Sequence, residues 1–217
     1  MTTTSAPPDV FAATDTPGRR TLVGLAVVVL VSFVAMLVTG ADNQADAPVT
    51  DLIDSYDYSQ TTSQVSSYFA MVFCAVLLLL GVATRAALRG RSRPWFADIV
   101  LLGFGVISLT VASWAVTALA MWHAVDIGDE TMIRTANLLD SSGFLPLMCG
   151  MICVYVGGGA TGLKAGTLPK WLAVPSIVLG VIAPLGPLGF VSFMLLPVWI
   201  WVVAVVVRLE PATSSDR

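Results

Sequence analysis

The chain has three cysteines, Cys74, Cys149 and Cys153, whose side chains could bind a soft metal or form a disulfide. Cys149 and Cys153 are four residues apart, so a helix would place both on one face. Structural zinc sites usually space their cysteines more tightly and add further ligands nearby. All three cysteines lie in apolar segments. We therefore interpret them as small packing residues and predict no metal and no cofactor.

The single histidine, His123, directly follows Trp122 at the end of a long apolar segment. Histidine titrates near neutral pH, so one hypothesis makes it a pH sensor or a proton relay. The other hypothesis, which we favour, is a polar residue at the membrane surface. A single histidine also argues against an HExxH metalloprotease, which needs two.

A run of small residues from Gly157 to Gly162 contains the pair Gly158 and Gly162, four positions apart. Such pairs let helices approach closely within a membrane. We predict that they pack against another helix of the same chain, with a homodimer contact as the alternative. A phosphate-binding loop is not indicated, because the Gly-Lys-Ser/Thr ending of that motif does not follow.

A second stripe of small and hydroxyl-bearing residues follows one helical face and consists of Gly103, Thr110, Ser113 and Thr117. Hydroxyl groups in membrane helices can bond across to neighbouring helices or back to carbonyl groups. We therefore predict that this stripe is a helix contact face. The alternative is the lining of a solute path, which the lack of an ionisable residue in the stripe disfavours.

Helices must carry these residues, because 56% of the chain is hydrophobic and only 12% is charged. A soluble domain carries about 25% charged residues, whereas apolar segments of roughly 20 residues span a bilayer. The sequence predicts an all-α polytopic transmembrane helical bundle, with spans at about 21–39, 65–87, 99–122, 144–161, 168–185 and 189–207. The last two spans share an uncharged stretch that is broken at Pro184–Gly189, and five spans are the alternative.

The basic residues set the predicted orientation, because Lys and Arg are enriched on the cytoplasmic side of membrane proteins. The signal comprises Arg19, Arg20, Arg85, Arg89, Arg91, Arg93, Lys164, Lys170 and Arg208. Both termini are then cytoplasmic, with tails at 1–18 and 210–217, and the first tail is predicted to be disordered. The other side receives two acidic segments, 40–60 and 124–140, which we interpret as solvated loops rather than a cation site.

The predicted spans contain no ionisable residue at mid-depth, where ion-coupled pumps and proton relays usually keep one. We therefore expect a non-enzymatic, multi-pass component of the cytoplasmic membrane. It would be surrounded by lipid and act through contacts with a membrane protein partner or a second copy of itself, without binding nucleic acid. A small-solute facilitator is the first alternative, and a lipid-modifying membrane enzyme is the second.

The passage Lys164–Trp171 is preceded by Gly157–Gly159 and followed by a helix around Gly180 and an apolar, Trp-rich final span. In these features the second half of the chain resembles a group of bacterial six-span membrane proteins of unknown function. The resemblance implies the six-span fold. It carries over no catalytic residue.

Overall fold

The computed structural model describes residues 18–39, 47–88 and 94–207, apart from the side chains of 55–60, 63, 88 and 94. Every element within these residues is a helix. In chain order the helices are α1 (Arg19–Thr39), α2 (Val49–Leu88), α3 (Pro94–Ile127), α4 (Glu130–Ser142), α5 (Phe144–Ala165), α6 (Lys170–Ile182) and α7 (Pro187–Val206).

Five helical segments are long and apolar enough to cross a membrane: Arg19–Thr39, Gln64–Ala87, Trp95–Ile127, Glu130–Ala165 and Pro187–Val206. Helices satisfy their own backbone hydrogen bonds, which lipid cannot do. The shortest segment has 20 residues, and a helix of that length spans about 30 Å, the thickness of the hydrocarbon core. The prediction of an all-helical, multi-pass membrane protein is thus confirmed at the level of five candidate spans.

Helix α6 differs from those five segments, because its 13 residues extend over only about 20 Å at 1.5 Å per residue. It runs antiparallel to α5, with Leu168 against Gly162 near one end of the pair and Gly180 against Tyr155 further along. Gly186 then adopts a φ of 54° before α7 begins, which glycine does without a side-chain clash. The predicted span at 168–185 therefore corresponds to a short helix and a turn, and a sixth crossing stays a prediction.

The helices pack in a ring. Helix α1 contacts α2 and α7, α2 contacts α3, α3 contacts α5, and α5 contacts α6. Helix α7 packs against α1 more extensively than against α5 or α6. The contact of α7 with α5 includes a hydrogen bond from the Tyr155 hydroxyl to the carbonyl of Ser192, at 2.7 Å. The backbone of α7 therefore packs less extensively against the α5–α6 pair than against α1, and side chains such as Tyr155 bridge the gap.

One end of the bundle, which we call the basic end, carries Arg19, Arg20, Arg85, Lys164 and Lys170. Arg85 at the end of α2 pairs with Asp98 at the start of α3. The Lys164 ammonium lies 4.7 Å from the centre of the Phe96 ring, a cation–π contact between α5 and α3. Arg19 donates a hydrogen bond to the carbonyl of Val205, so the start of α1 and the end of α7 lie together at this end.

The opposite end, which we call the acidic-end cap, combines the first turns of α2, the last turns of α3 and the whole of α4. Its small core consists of Val49, Leu52, Met121, Ala124, Ile133 and Ala136. Asp129 caps α4 by accepting a hydrogen bond from the backbone N–H of Met132 at 3.0 Å. Where described, the two acidic segments are mainly helical and not loops, because an apolar face on each is buried against the other, while acidic side chains such as Asp51, Asp126 and Asp129 are exposed.

Candidate functional site

Cys74 and the pair Cys149 and Cys153 lie on different helices and make different contacts. The Cys74 thiol lies 3.1 Å from the carbonyl oxygen of Ser108, and the Ser108 hydroxyl donates to the carbonyl of Cys74 at 3.2 Å. Cys153 packs beside Gly103 at the α3–α5 contact, and Cys149 is exposed. Within the part of the chain that the structure describes, no group of three His, Cys, Asp or Glu side chains could hold a metal ion.

His123 lies in the last turns of α3, which belong to the acidic-end cap. Its side chain is exposed, and its ring centre is 6.5 Å from that of Trp122. This is a position in which a polar side chain can meet water at the end of an apolar helix. A pH-sensing role for His123 stays a hypothesis.

The predicted stripe on α3 begins with Gly103, which faces α5. A Cβ atom added to Gly103 would lie 2.9 Å from the carbonyl oxygen of Gly150, and one added to Gly150 would lie 3.0 Å from that of Gly103. Gly159 on α5 makes a similar approach to α6, where a Cβ would lie 2.7 Å from the carbonyl oxygen of Ala173. Helices α3, α5 and α6 are thus held close enough for backbone to meet backbone, and we call these contacts the glycine seam.

The hydroxyl groups of the same stripe are engaged in hydrogen bonds. Thr110 and Ser113 donate to carbonyl groups of α3 at 2.9 Å and 2.7 Å. Thr117 donates to the Asp140 carboxylate on α4 at 3.0 Å. The indole N–H of Trp114 donates to the backbone carbonyl of Asp140, also at 3.0 Å. Thr117 and Trp114 thus join α3 to α4, whereas Thr110 and Ser113 bond only their own helix.

The predicted pair on α5, Gly158 and Gly162, faces the interior at the basic end. A Cβ on Gly158 would lie 3.0 Å from the Trp199 ring of α7, and one on Gly162 would lie 2.6 Å from the Leu168 side chain. Both glycines also line a cavity with a volume of about 60 Å³. The cavity is bounded by α1, α2, α3, α5, α7 and the loop that joins α5 to α6.

Most of the cavity wall is apolar, and it includes Leu22, Leu80, Phe104, Trp199 and Ile200. Thr84, Thr161 and Thr167 are its hydroxyl-bearing residues. Thr161 and Thr167 are only 1% and 4% exposed. Their Oγ1 atoms have no hydrogen-bond partner among the described residues.

A buried hydroxyl without a hydrogen-bond partner destabilises a fold by about 1–3 kcal/mol, and this applies to each of these two hydroxyls. They were not identified from the sequence, where Thr161 and Thr167 read as ordinary small polar residues near a helix end. A threonine in a helix commonly bonds the carbonyl four residues back, and only the side-chain geometry reveals that Thr161 does not. The cavity with its two buried hydroxyls is the candidate functional site.

The basic residues of the predicted topology signal fall into two sets. Arg19, Arg20, Arg85, Lys164 and Lys170 lie at the basic end, as described above. Arg89, Arg91, Arg93 and Arg208 lie outside the described residues. Of the acidic segment at 40–60, residues 40–46 also lie outside them.

Comparison of the chain with protein-family models, with curated proteins and with solved structures finds no match in any of the three. Functional inference therefore rests on the geometry described above.

Proposed function

We propose that this protein is a non-enzymatic component of the cytoplasmic membrane, and that it acts by binding another membrane helix through the outward face of α3. In this proposal the chain crosses the membrane six times with the basic end in the cytoplasm, as the positive-inside rule favours. The binding partner is a different membrane protein or a second copy of this chain.

The observation that carries the proposal is the environment of Gly105. A Cβ atom added to Gly105 would meet no other atom within 4 Å, so this glycine is not used in packing within the chain. Ser113, two turns further along the same face, is exposed. Leu102 lies one turn before Gly105 and Leu109 lies between Gly105 and Ser113, and these two leucines are 66% and 73% exposed. Small residues set among large ones form a groove that a neighbouring helix can enter closely.

The distribution of charge among the described residues also supports a contact function over chemistry in the membrane. Their ionisable groups gather at the basic end and in the acidic-end cap. The hydroxyls of Thr110 and Ser113 donate hydrogen bonds to carbonyl groups of α3. Ion-coupled transporters usually have an ionisable side chain within the membrane, which here would lie between the basic end and the acidic-end cap.

The test is a pair of matched substitutions, Gly105→Leu and Gly24→Leu. Gly24 on α1 is also outward-facing, and a Cβ there likewise meets no atom within 4 Å, so the two positions are matched in the space they offer a side chain. Leucine at 105 fills the groove on α3, whereas leucine at 24 changes a different face. We expect in-membrane crosslinking, followed by mass spectrometry, to recover a stoichiometric partner or dimer with the wild type and with Gly24→Leu.

With Gly105→Leu we expect that crosslinked species to fall by about tenfold or more, since a side chain now holds the backbones apart. Equal crosslinking of all three proteins would refute the proposed face. A wild-type chain that crosslinks to nothing would refute the contact function altogether.

A further inference from the structure

The cavity at the basic end combines an apolar wall with two hydroxyl groups that are unsatisfied among the described residues. Some buried hydroxyls on these helices bond the carbonyl four residues back: Thr110 donates to Val106 at 2.9 Å, and Ser176 donates to Leu172 at 2.6 Å. Thr161 also lies on a helix, yet its hydroxyl does not bond the carbonyl four residues back. Thr161 is instead one of the residues that line the cavity.

Thr167 provides the second hydroxyl from a different element. It follows Gly166, whose φ of 66° reverses the chain after α5, and it precedes Pro169, which begins α6 without a side-chain cap. The Thr167 hydroxyl is therefore not used to cap the helix. It lines the same cavity as Thr161. Two buried hydroxyl-bearing residues from two elements thus line one largely apolar cavity.

The rim of this cavity carries positive charge. Leu22 lines the wall and lies one helical turn after Arg19 on α1. The Arg19 guanidinium reaches the carbonyl of Val205, next to the wall residue Ala204. Anionic lipids concentrate in the leaflet that faces clusters of basic side chains. An anionic headgroup at Arg19 would therefore stand directly over the cavity.

The volume of about 60 Å³ limits what can enter. An apolar cavity of roughly 150 Å³ holds one benzene molecule, so a complete acyl chain does not fit here. A short segment with hydrogen-bond acceptors does fit. A single ester group of a phospholipid, with three non-hydrogen atoms, is of this size, carries no net charge, and lies in the bilayer between the phosphate and the acyl chain.

We infer that the cavity binds one ester group of an anionic phospholipid from the leaflet at the basic end. The hydroxyls of Thr161 and Thr167 donate to the ester carbonyl, and Arg19 receives the phosphate. This inference goes beyond the proposed partner contact, because Gly105 lies on the outward face of α3 and the cavity lies inside the bundle.

The experiment measures lipids retained by the intact chain after extraction from nanodiscs of phosphatidylglycerol or phosphatidylcholine, by native mass spectrometry. We expect about one phosphatidylglycerol to stay bound to the wild type, and fewer phosphatidylcholine molecules. The double variant Thr161→Val, Thr167→Val removes both hydroxyls at nearly constant size. We expect about tenfold less retained lipid, as two lost hydrogen bonds imply.

Two controls separate this site from general lipid coating and from misfolding. The variant Thr161→Ser, Thr167→Ser keeps both hydroxyls and is expected to retain lipid as the wild type does. Thr110→Val removes a buried hydroxyl elsewhere on the bundle and is expected to leave retention unchanged. Arg19→Gln is expected to remove the preference for phosphatidylglycerol over phosphatidylcholine.

Equal lipid retention by the valine and serine double variants would overturn the inference, since the lipid would then be bound elsewhere. Loss of retention in the serine variant as well would also overturn it, because the hydroxyls would not be the cause. A partner that still crosslinks at α3 under either result would leave the proposed function standing.

Discussion

The glycine seam and the acidic-end cap hold helices together by opposite means. In the seam, the absence of side chains at Gly103, Gly150 and Gly159 lets α3, α5 and α6 approach until backbone meets backbone. In the cap, the side chains themselves make the contact, with Ile133 and Met121 fully buried between short helical segments. The difference follows from the solvent. Apolar side chains are already in an apolar solvent when they face lipid, so helix association there depends on van der Waals contact between closely fitting surfaces. In water, the hydrophobic effect favours burial of apolar side chains against one another.

The largest expected effect comes from adding bulk to the seam. In Gly159→Leu, the first side-chain atom would already lie 2.7 Å from the Ala173 carbonyl oxygen, and α6 must move away. We expect a loss of about 3 kcal/mol or more in the free energy of unfolding, as for overpacked cores. Thermal unfolding in detergent measures it, with Gly24→Leu as the control. Similar thermal unfolding midpoints for Gly159→Leu and Gly24→Leu would contradict close helix packing at the glycine seam.

Removing bulk from the cap is expected to cost less. Ile133 is fully buried in the small cap core, and Ile133→Ala should cost about 2 kcal/mol, at the low end for such cavities because the cap lies near the surface and can collapse. The loss should be local, so hydrogen exchange should rise in α4 and not in α5. Ile127→Ala, at a residue 58% exposed, is the matched control. Equal exchange in the two variants would show that the cap has no core of its own.

The smallest effect concerns the start of α4. Asp129→Ala removes the side chain that accepts from the Met132 N–H and should cost about 1 kcal/mol. Asp129→Asn keeps a capping oxygen and should cost less. Hydrogen exchange over the first turn of α4 distinguishes them. If both variants protect that turn as the wild type does, the cap hydrogen bond contributes nothing.

The parts of the fold that depend on composition were predictable from the sequence. Long uncharged stretches required spanning helices, and all described Lys and Arg residues except Arg134 gather at one end. The acidic-end cap was missed because polar residues dominate its composition. Its buried face reduces to a few residues, such as Leu52 and Ile133, whose partners come from elsewhere in the chain.

The candidate site was predictable only in outline. Gly158 and Gly162 were recognised as small residues, and both do line the cavity at the basic end. Thr161 lies between them in the sequence, yet nothing in its type distinguishes it from Thr110. Whether a hydroxyl bonds its own helix or points into a cavity depends on side-chain rotation and on the shape left by other helices.

Helix α2 passes without interruption from the spanning segment into the cap. From Gln64 to Val49 it projects beyond the candidate span, a distance of about 22 Å at 1.5 Å per residue. A rod of that length is a lever: a tilt of about 10° in the span displaces its far end by about 4 Å. Because spans tilt to match the thickness of the bilayer, a change of thickness that tilted α2 would shift its far end sideways, together with the cap core that contains Val49 and Leu52.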